Sequence, residues 1–551
     1  MLDGCVPWPE DLAQHYRDAG YWRGDTLGGL LRAWAATHGG ATALVVGERR
    51  MTYDELDAAA DRAALGLRGL GVRAGDRIVL HLPNVPEFLI AAFGLFRLGA
   101  LPVFALPAHR GHELQYFCDH AEAVAYIGST SEGAYDPRGL EARLRDPDDP
   151  LRHIIAVGPS EGLERSLGYV AFDELLATSV APQTASRELD RHPPDPEDVA
   201  FFLLSGGTTG LPKLIPRTHD DYSYNVRASA AMCGFDASTV YLVALPIAHN
   251  FPFGSPGALA ALSVGGRVVM TSDPSPPAVF PLIAAEAVTT TALVPAVALR
   301  WVEAPELGPA DLSSLDVLQV GGSKLVPELA RRISAVLGCT VQQVFGMAEG
   351  LLNFTRLDDP ELVINETQGR PMSPGDQIAV VDPDGQPVAP GEPGELITQG
   401  PYTLRGYYRA PEHNERAFTP EGWYRSGDIV RLDEGGNLIV EGRAKDLINR
   451  GGEKISAEEV EDLLLAHPAV MNIAAVAMPD RALGERTCVY VVRRDNAQVT
   501  LEDLKRSLHE RGVAKYKWPE RLELVDELPI TNVGKIDKRA LREDIIARIG
   551  G

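Results

Sequence analysis

Val199-Ala-Phe-Phe-Leu-Leu204 runs directly into Ser205-Gly-Gly-Thr-Thr-Gly-Leu-Pro-Lys213. Six apolar residues without alternation read as a buried strand, the kind an α/β sheet covered by helices requires. The loop that follows has the composition to turn backbone N–H groups toward a polyphosphate, with Thr208 and Thr209 as further donors and Lys213 as charge. It is not a Walker A loop, because the residues five after Gly206 and Gly207 are Leu211 and Pro212, so no Gly-Lys pair closes it. On spacing alone, a phosphate cradle and a Gly/Thr surface loop both stay open.

On either side of this stretch, helical and strand periodicities alternate. Residues 55–70 read as a helix, 77–82 as a strand, 86–98 as a helix and 101–106 as a strand. The strand 315–320, the turn Gly321-Gly322, the helix 326–337 and the strand 340–345 repeat the βα pattern. Residues 129–196 read as loop-rich and exposed, with Asp146-Pro-Asp-Asp-Pro150 and His192-Pro-Pro-Asp-Pro196. After about Pro371, short strands with turn signals replace the βα rhythm, which predicts a small β-rich subdomain over about 371–444. From Lys445 a compact unit with helices 457–466 and 501–511 and strands 473–478 and 487–492 reads as an α+β module. The expected class is α/β: a large N-terminal domain, 1–444, of two βα subdomains plus the β-rich subdomain, then a C-terminal domain, 445–551.

The chain has 551 residues, 45% of them hydrophobic and 23% charged, which excludes a disordered, collagenous or disulfide-scaffold protein. A net charge of −24 argues against nucleic acid or an anionic membrane as partner. The apolar stretch 88–108 is interrupted by Arg97, Pro102 and Pro107, so no membrane span is expected. Cys5, Cys118, Cys233, Cys339 and Cys488 are scattered without metal or redox spacing, and with no secretory start this predicts a soluble, cytoplasmic protein. No interface signal fixes an oligomeric state.

Further motifs follow the loop in order: Phe345-Gly-Met-Ala-Glu349, Tyr424-Arg-Ser-Gly-Asp428, Gly442-Arg-Ala-Lys-Asp446, Asn449-Arg-Gly-Gly452, and Gly534-Lys535 before Ile536-Asp-Lys538. With Ser205 to Lys213, this ordered set resembles the acyl-adenylate-forming ligases. It is most similar to the stand-alone aryl-acid ligases that make 2,3-dihydroxybenzoate-AMP or salicylate-AMP in siderophore pathways. The resemblance covers nearly the whole chain.

The resemblance implies ATP and Mg²⁺ as reactants and assigns roles by position. The loop residues Ser205, Gly206, Gly207, Thr208, Thr209, Gly210 and Lys213 would hold phosphates. Gly321, Gly322, Ser323, Val344, Phe345, Gly346 and Met347 would line the nucleotide, the two glycines leaving a flat slot where a side chain would intrude. Glu349 would help hold Mg²⁺, a hard cation that takes oxygen ligands. Asp428 would accept from both ribose hydroxyls, and Arg443 would add a charged fork beside them. Lys535 would contact the attacking carboxylate and the α-phosphate, with His249 as a further catalytic residue. Lys445 matches the hinge about which the family rotates a mobile C-terminal domain, after which Asn449, Gly451 and Gly452 would line a pantetheine channel.

For the acid, the resemblance points to His249-Asn-Phe-Pro-Phe-Gly-Ser-Pro-Gly257. Asn250 would bind an ortho-hydroxyl, Phe251 would pack the ring, and Ser255 would sit at the meta edge, favouring 2,3-dihydroxybenzoate. Gly254, where relatives carry Ala or Ser, would enlarge the pocket floor and admit an alkylated salicylate or a hydroxy-naphthoate. Val344, Val320 and Leu352 would complete an apolar wall. The acceptor would be a phosphopantetheine thiol on an aryl carrier protein; residues 505–551 carry more Lys and Arg than Asp and Glu, which suits an acidic carrier and equally free coenzyme A. An aryl-CoA ligase of a polyketide pathway and a non-catalytic binding scaffold are the alternatives.

Overall fold

The computed structural model describes the chain except for residues 132, 160–163, 178–181, 206–211, 306–307, 309, 444–445, 451–452, 481–482, 495–496, 512, 514, 532–534 and 551. For residues 182, 183, 449, 453, 454, 484 and 550 it describes the backbone alone.

Two large sheets dominate the first part of the chain. One has seven strands in the order Tyr169–Ala171, His153–Val157, Ala125–Ser129, Arg77–His81, Leu101–Phe104, Val199–Leu204, Leu214–Thr218. All its pairings are parallel except the last, which is antiparallel. The other has nine strands. Its six central strands, Thr340–Gly346, Val317–Gly321, Thr290–Leu293, Val240–Val243, Arg267–Met270 and Thr42–Val46, are parallel, and its edges turn antiparallel.

The helices Leu27–His38, Tyr53–Gly69 and Pro86–Leu98 belong to a single apolar core shared with both sheets. Pro86–Leu98 is apolar on nearly every side and buried accordingly; Pro86 stands at its first turn, and Gly99, at φ +66°, ends it in the left-handed region. Its one cation, Arg97, is buried against Asp61 at 2.6 Å and against Asp57. Thr52 and Glu55 form a capping box that starts the next helix at Tyr53, two residues before the periodicity alone would place it.

The segment 129–196 departs from the sequence reading. His153–Val157 and Tyr169–Ala171 extend the seven-stranded sheet, with Ile154 and Ile155 fully buried. Ala185 and Leu189 pack on Ala64 and Leu65. Short strands amid Pro- and Asp-rich turns look like loops because their five and three residues are too few to outweigh the turn signals around them.

Gln377–Val381, Gly394–Gln399, Tyr424–Leu432 and Leu438–Arg443 form an antiparallel four-stranded sheet. The last part of the chain builds its own five-stranded sheet around the hairpin Val470–Asp480 and Gly484–Arg493, with Arg521–Val525 added in parallel, and covers it with Ala457–Leu465, Leu501–Glu510 and Lys538–Gly550. Among the described residues, no helix is long and apolar enough to cross a membrane.

Candidate active site

The connection from Val199–Leu204 to Leu214–Thr218 is fastened at its neck. Ser205 N–H donates to the Lys213 carbonyl at 2.9 Å, and Lys213 N–H donates to Ser205 Oγ at 2.9 Å. Gly206, Gly207, Thr208, Thr209 and Gly210 lie outside the described residues. The Lys213 ammonium stands 5.9 Å from the Tyr407 ring centre.

Thr340–Gly346 delivers Val344, Phe345 and Gly346 to the same region, and a tight turn follows, closed by Gly350 N–H to the Met347 carbonyl at 3.1 Å. A Cβ at Gly346 would stand 2.4 Å from the tip of the Leu352 side chain, which would have to move aside. Glu349 is buried, and its Oε1 accepts from the Tyr407 hydroxyl at 2.8 Å. Burial and the Glu349 charge raise the Tyr407 pKa, so the phenol stays a donor. Tyr407 also meets the Tyr424 hydroxyl at 3.0 Å.

Asp428 and Arg443 face each other across neighbouring strands, with Arg443 Nε 2.7 Å from Asp428 Oδ1. Burial raises the Asp428 pKa, against the pull of Arg443 and Lys535. Lys535 closes a turn in the C-terminal unit: its carbonyl accepts from Thr531 N–H at 2.6 Å and its own N–H donates to Thr531 Oγ1 at 3.2 Å. Burial lowers the Lys535 pKa to about 8, with Arg443 adding to the effect and Asp428, Glu349 and Glu458 opposing it. His249 is pushed down to about 4 by burial and then by the Lys535 charge, so its ring is neutral at physiological pH. His249 Nδ1 accepts from Phe251 N–H at 3.3 Å, which leaves the ring proton on Nε2. Lys535, Asp428, Glu349, Arg443 and His249 therefore share one electrostatic neighbourhood although the lysine comes from a turn of the C-terminal unit.

That neighbourhood is joined by the short buried helix Asn250–Gly254. Phe251 packs against Gly321, where an added Cβ would lie 3.3 Å from the Phe251 ring and 2.5 Å from the Val344 carbonyl. Gly322, at φ +83°, makes the turn that leads to Ser323, a conformation costly for any residue with a Cβ. Val344, Val320 and Leu352 are buried, Val344 and Leu352 in the core that contains Phe251 and Val320 in the neighbouring one. Asn250 Oδ1 accepts from the Tyr222 hydroxyl at 2.8 Å, and Ser255 Oγ accepts from Asn225 Nδ2 at 3.1 Å. Gly254 does not widen the floor of this region, as its lack of a side chain had implied. A Cβ there would stand 2.6 Å from the Tyr222 ring and phenol oxygen, so Tyr222 already fills the space.

Two residues that sequence reasoning passed over, Arg217 and Tyr402, hold these parts together. The fully buried Arg217 donates to Asp221 at 3.0 Å, to the Ala348 carbonyl at 3.1 Å and to the Tyr402 carbonyl at 3.1 Å, with its guanidinium 4.8 Å from the Tyr222 ring centre. Tyr402 donates to Asp376 at 2.6 Å and accepts from Leu352 N–H at 3.1 Å. The available signal was the helix His219–Met232, whose polar residues Asp220, Asp221, Ser223 and Asn225 are all buried, as a solvent-facing helix would not allow.

Lys324 and Asp462 pair at 2.9 Å between the nine-stranded part and the C-terminal helix Ala457–Leu465, and Arg494 reaches Glu303 at 3.1 Å. Lys445, Gly451 and Gly452 lie outside the described residues; the Asn449 backbone pairs with Lys454 in the C-terminal sheet.

Residues 31–408 match the AMP-binding enzyme family, and residues 459–535 match the AMP-binding enzyme C-terminal domain. A 2,3-dihydroxybenzoate-AMP ligase of Bacillus subtilis (strain 168) is 53% identical over 550 residues, covering 100% of this chain and 99% of its own. A salicylyl-CoA synthase / salicylate adenylyltransferase of a Streptomyces species is 53% identical over 547 residues, covering 98% and 97%. The apo structure of MbtA from Mycobacterium smegmatis superposes with a TM-score of 0.74 at 46% identity, covering 98% of both chains. With family matches over both parts of the chain and relatives 53% identical over nearly its whole length, the chain belongs to the AMP-binding enzyme family and is an ATP-using, adenylate-forming ligase.

Proposed function

We propose that the protein activates a hydroxy-aryl acid of the 2,3-dihydroxybenzoate or salicylate type and passes the aryl group to a phosphopantetheine thiol. The observation that carries this reading is the convergence of Lys535 with Asp428, Glu349 and His249 at the Asn250–Gly254 helix. In the first step a carboxylate oxygen of the acid bonds to the α-phosphorus of ATP and the bond to pyrophosphate breaks. Lys535 offsets negative charge on the entering carboxylate and the α-phosphate, Asp428 holds the ribose with Arg443 beside it, and His249 offers an Nε2 proton as a neutral donor. The Ser205–Lys213 loop would hold the departing phosphates, and Gly321, Gly322, Ser323, Phe345, Gly346 and Met347 would bed the nucleotide.

Among the described residues no group of three His, Cys, Asp or Glu could form an all-protein metal cage. One buried carboxylate, Glu349, suits Mg²⁺, which is held by one or two carboxylates together with substrate phosphates. When bound, Mg²⁺ would neutralise phosphate charge; Tyr407 keeps Glu349 aimed for it.

In the second step the thiol sulfur bonds to the acyl carbon and AMP leaves with the electron pair. The domain division at 444–445, rotation about Lys445, and a channel along Asn449, Gly451 and Gly452 belong to this proposal. An aryl carrier protein of siderophore assembly is the first acceptor; coenzyme A is the second reading, favoured by the Streptomyces relative that carries both activities in its name. The five cysteines, none of them in a disulfide, suit a cytoplasmic setting.

Acid-dependent exchange of labelled pyrophosphate into ATP tests the first step, across benzoate, salicylate, 2,3-dihydroxybenzoate, 6-methylsalicylate and a hydroxy-naphthoate. Exchange should follow the small hydroxybenzoates and vanish in Lys535→Ala. Unchanged exchange in that variant would sink the role of Lys535, and silence with every acid would sink the aryl-acid reading.

A further inference from the structure

Beneath the Asn250–Gly254 helix, four buried side chains lie in two hydrogen-bonded pairs, Asn225 with Ser255 and Tyr222 with Asn250. Asn225 Nδ2 stands 2.6 Å from the Gly254 carbonyl oxygen. A backbone carbonyl can only accept, so the amide presents its NH₂ side there and to Ser255 Oγ at 3.1 Å. Ser255 thus accepts from Asn225 Nδ2, and its own hydroxyl lies 3.5 Å from Asn225 Oδ1. The Tyr222 hydroxyl donates to Asn250 Oδ1 at 2.8 Å. Asn225, Ser255, Tyr222 and Asn250 are all at least nine-tenths buried, so both contacts are shielded from water.

The contact with Tyr222 sets the orientation of the Asn250 amide. Its carbonyl oxygen is occupied by Tyr222, and its Nδ2 has no acceptor among the described residues, nor is that nitrogen sealed in the interior. Asn250 lies between His249, which feels the Lys535 charge, and Phe251, which packs on Gly321.

We propose that Tyr222 is a specificity-determining positioning residue that fixes Asn250 as a hydrogen-bond donor, so that the site selects an acid whose ortho substituent accepts a hydrogen bond. This rests on the aryl-acid reading above. In salicylate the hydroxyl gives its proton to the adjacent carboxylate and keeps a lone pair for Asn250. In 2-aminobenzoate, nearly the same size, the nitrogen lone pair is drawn into the ring, and an N–H would meet the N–H of Asn250. Both donors would then be buried without a partner, the situation that polar sites discriminate most strongly.

The test measures kcat/KM for pyrophosphate exchange with salicylate and with 2-aminobenzoate in the full-length protein and two variants. The wild-type protein should favour salicylate by about a hundredfold or more. Tyr222→Phe frees the amide to turn over and should shrink that ratio roughly tenfold, the equivalent of one neutral hydrogen bond. Asn250→Asp, which can only accept, should reverse the preference and serves where Tyr222→Phe does not melt cooperatively. Use of both acids within about threefold by the wild type, or a Tyr222→Phe protein that loses both in equal proportion, overturns the proposal. Failure of every hydroxybenzoate in the wild type instead overturns the aryl-acid reading itself.

Discussion

Arg217 Nη1 donates to the carbonyl of Ala348 at 3.1 Å, across 131 residues of sequence, and so ties the strand Leu214–Thr218, which leads into the helix under the acid segment, to the turn that carries Glu349. Lysine at 217 keeps the charge but cannot serve Asp221, Ala348 and Tyr402 at once. Arg217→Lys should fold and lose roughly ten- to a hundredfold in kcat for pyrophosphate exchange, the equivalent of one or two charge-assisted hydrogen bonds. Arg217→Met strands the buried Asp221 carboxylate and should cost about 3–5 kcal/mol of stability in a denaturant titration. A Lys variant with wild-type kcat would remove Arg217 from the machinery.

In the proposed mechanism Lys535 acts as a cation, and its pKa, lowered to about 8, lies well below that of a free lysine. A depressed lysine loses its charge as pH rises through the folded value, so kcat/KM for exchange should decline above about pH 8. Arg443→Gln removes a neighbouring positive charge and should carry that alkaline limb upward, whatever it does to the absolute rate. A pH profile that ignores Arg443→Gln would contradict the assignment. His249, neutral down to about pH 4, should contribute no acid limb between pH 5 and 8.

Tyr407→Phe deprives Glu349 of its hydrogen-bond donor while sparing the acid segment. The Mg²⁺ concentration needed for half-maximal exchange should rise severalfold, about the effect of losing a hydrogen bond to a charged group. The KM for the aryl acid should hold. A rise in acid KM with an unchanged Mg²⁺ requirement would place Tyr407 elsewhere in the reaction.

Lys324 pairs with Asp462 of the C-terminal helix Ala457–Leu465 at 2.9 Å, and in the proposed mechanism this pair favours the orientation that brings Lys535 inward. Asp462→Asn should weaken that orientation by an amount typical of a partly exposed ion pair, slowing exchange about two- to fivefold. Thiol transfer from a preformed adenylate, followed in a single turnover, should keep or gain speed. Equal slowing of both steps would mean that the pair contributes only to folding.

Much of the fold was legible where local signals agreed. Pro86–Leu98 matches its reading residue for residue because a proline opens it and Gly99 closes it. Val199–Leu204 matches because nothing interrupts its apolar run. His153–Val157 was hidden by the turn residues around it, although the sheet buries it completely at Ile154 and Ile155. In the site, residues inside ordered motifs were nameable, whereas Arg217, Tyr222 and Tyr407 were not. Arg217 reaches Tyr402 across 185 residues, Tyr222 reaches Asn250 across 28 and Tyr407 reaches Glu349 across 58, and no local pattern encodes such partners. Gly254 was misread for the same reason: an absent side chain looks like free volume until its neighbour is known.

The Tyr222 ring under Gly254 also limits how this pocket can be redesigned. An engineer seeking room for a bulkier acid would gain nothing at position 254 and would have to shorten Tyr222. The same phenol orients Asn250, so a mutation that deepens the cavity also releases its polarity filter. Size and chemical character of the substrate are therefore linked traits, and selection for one, in the laboratory or in nature, drags the other with it.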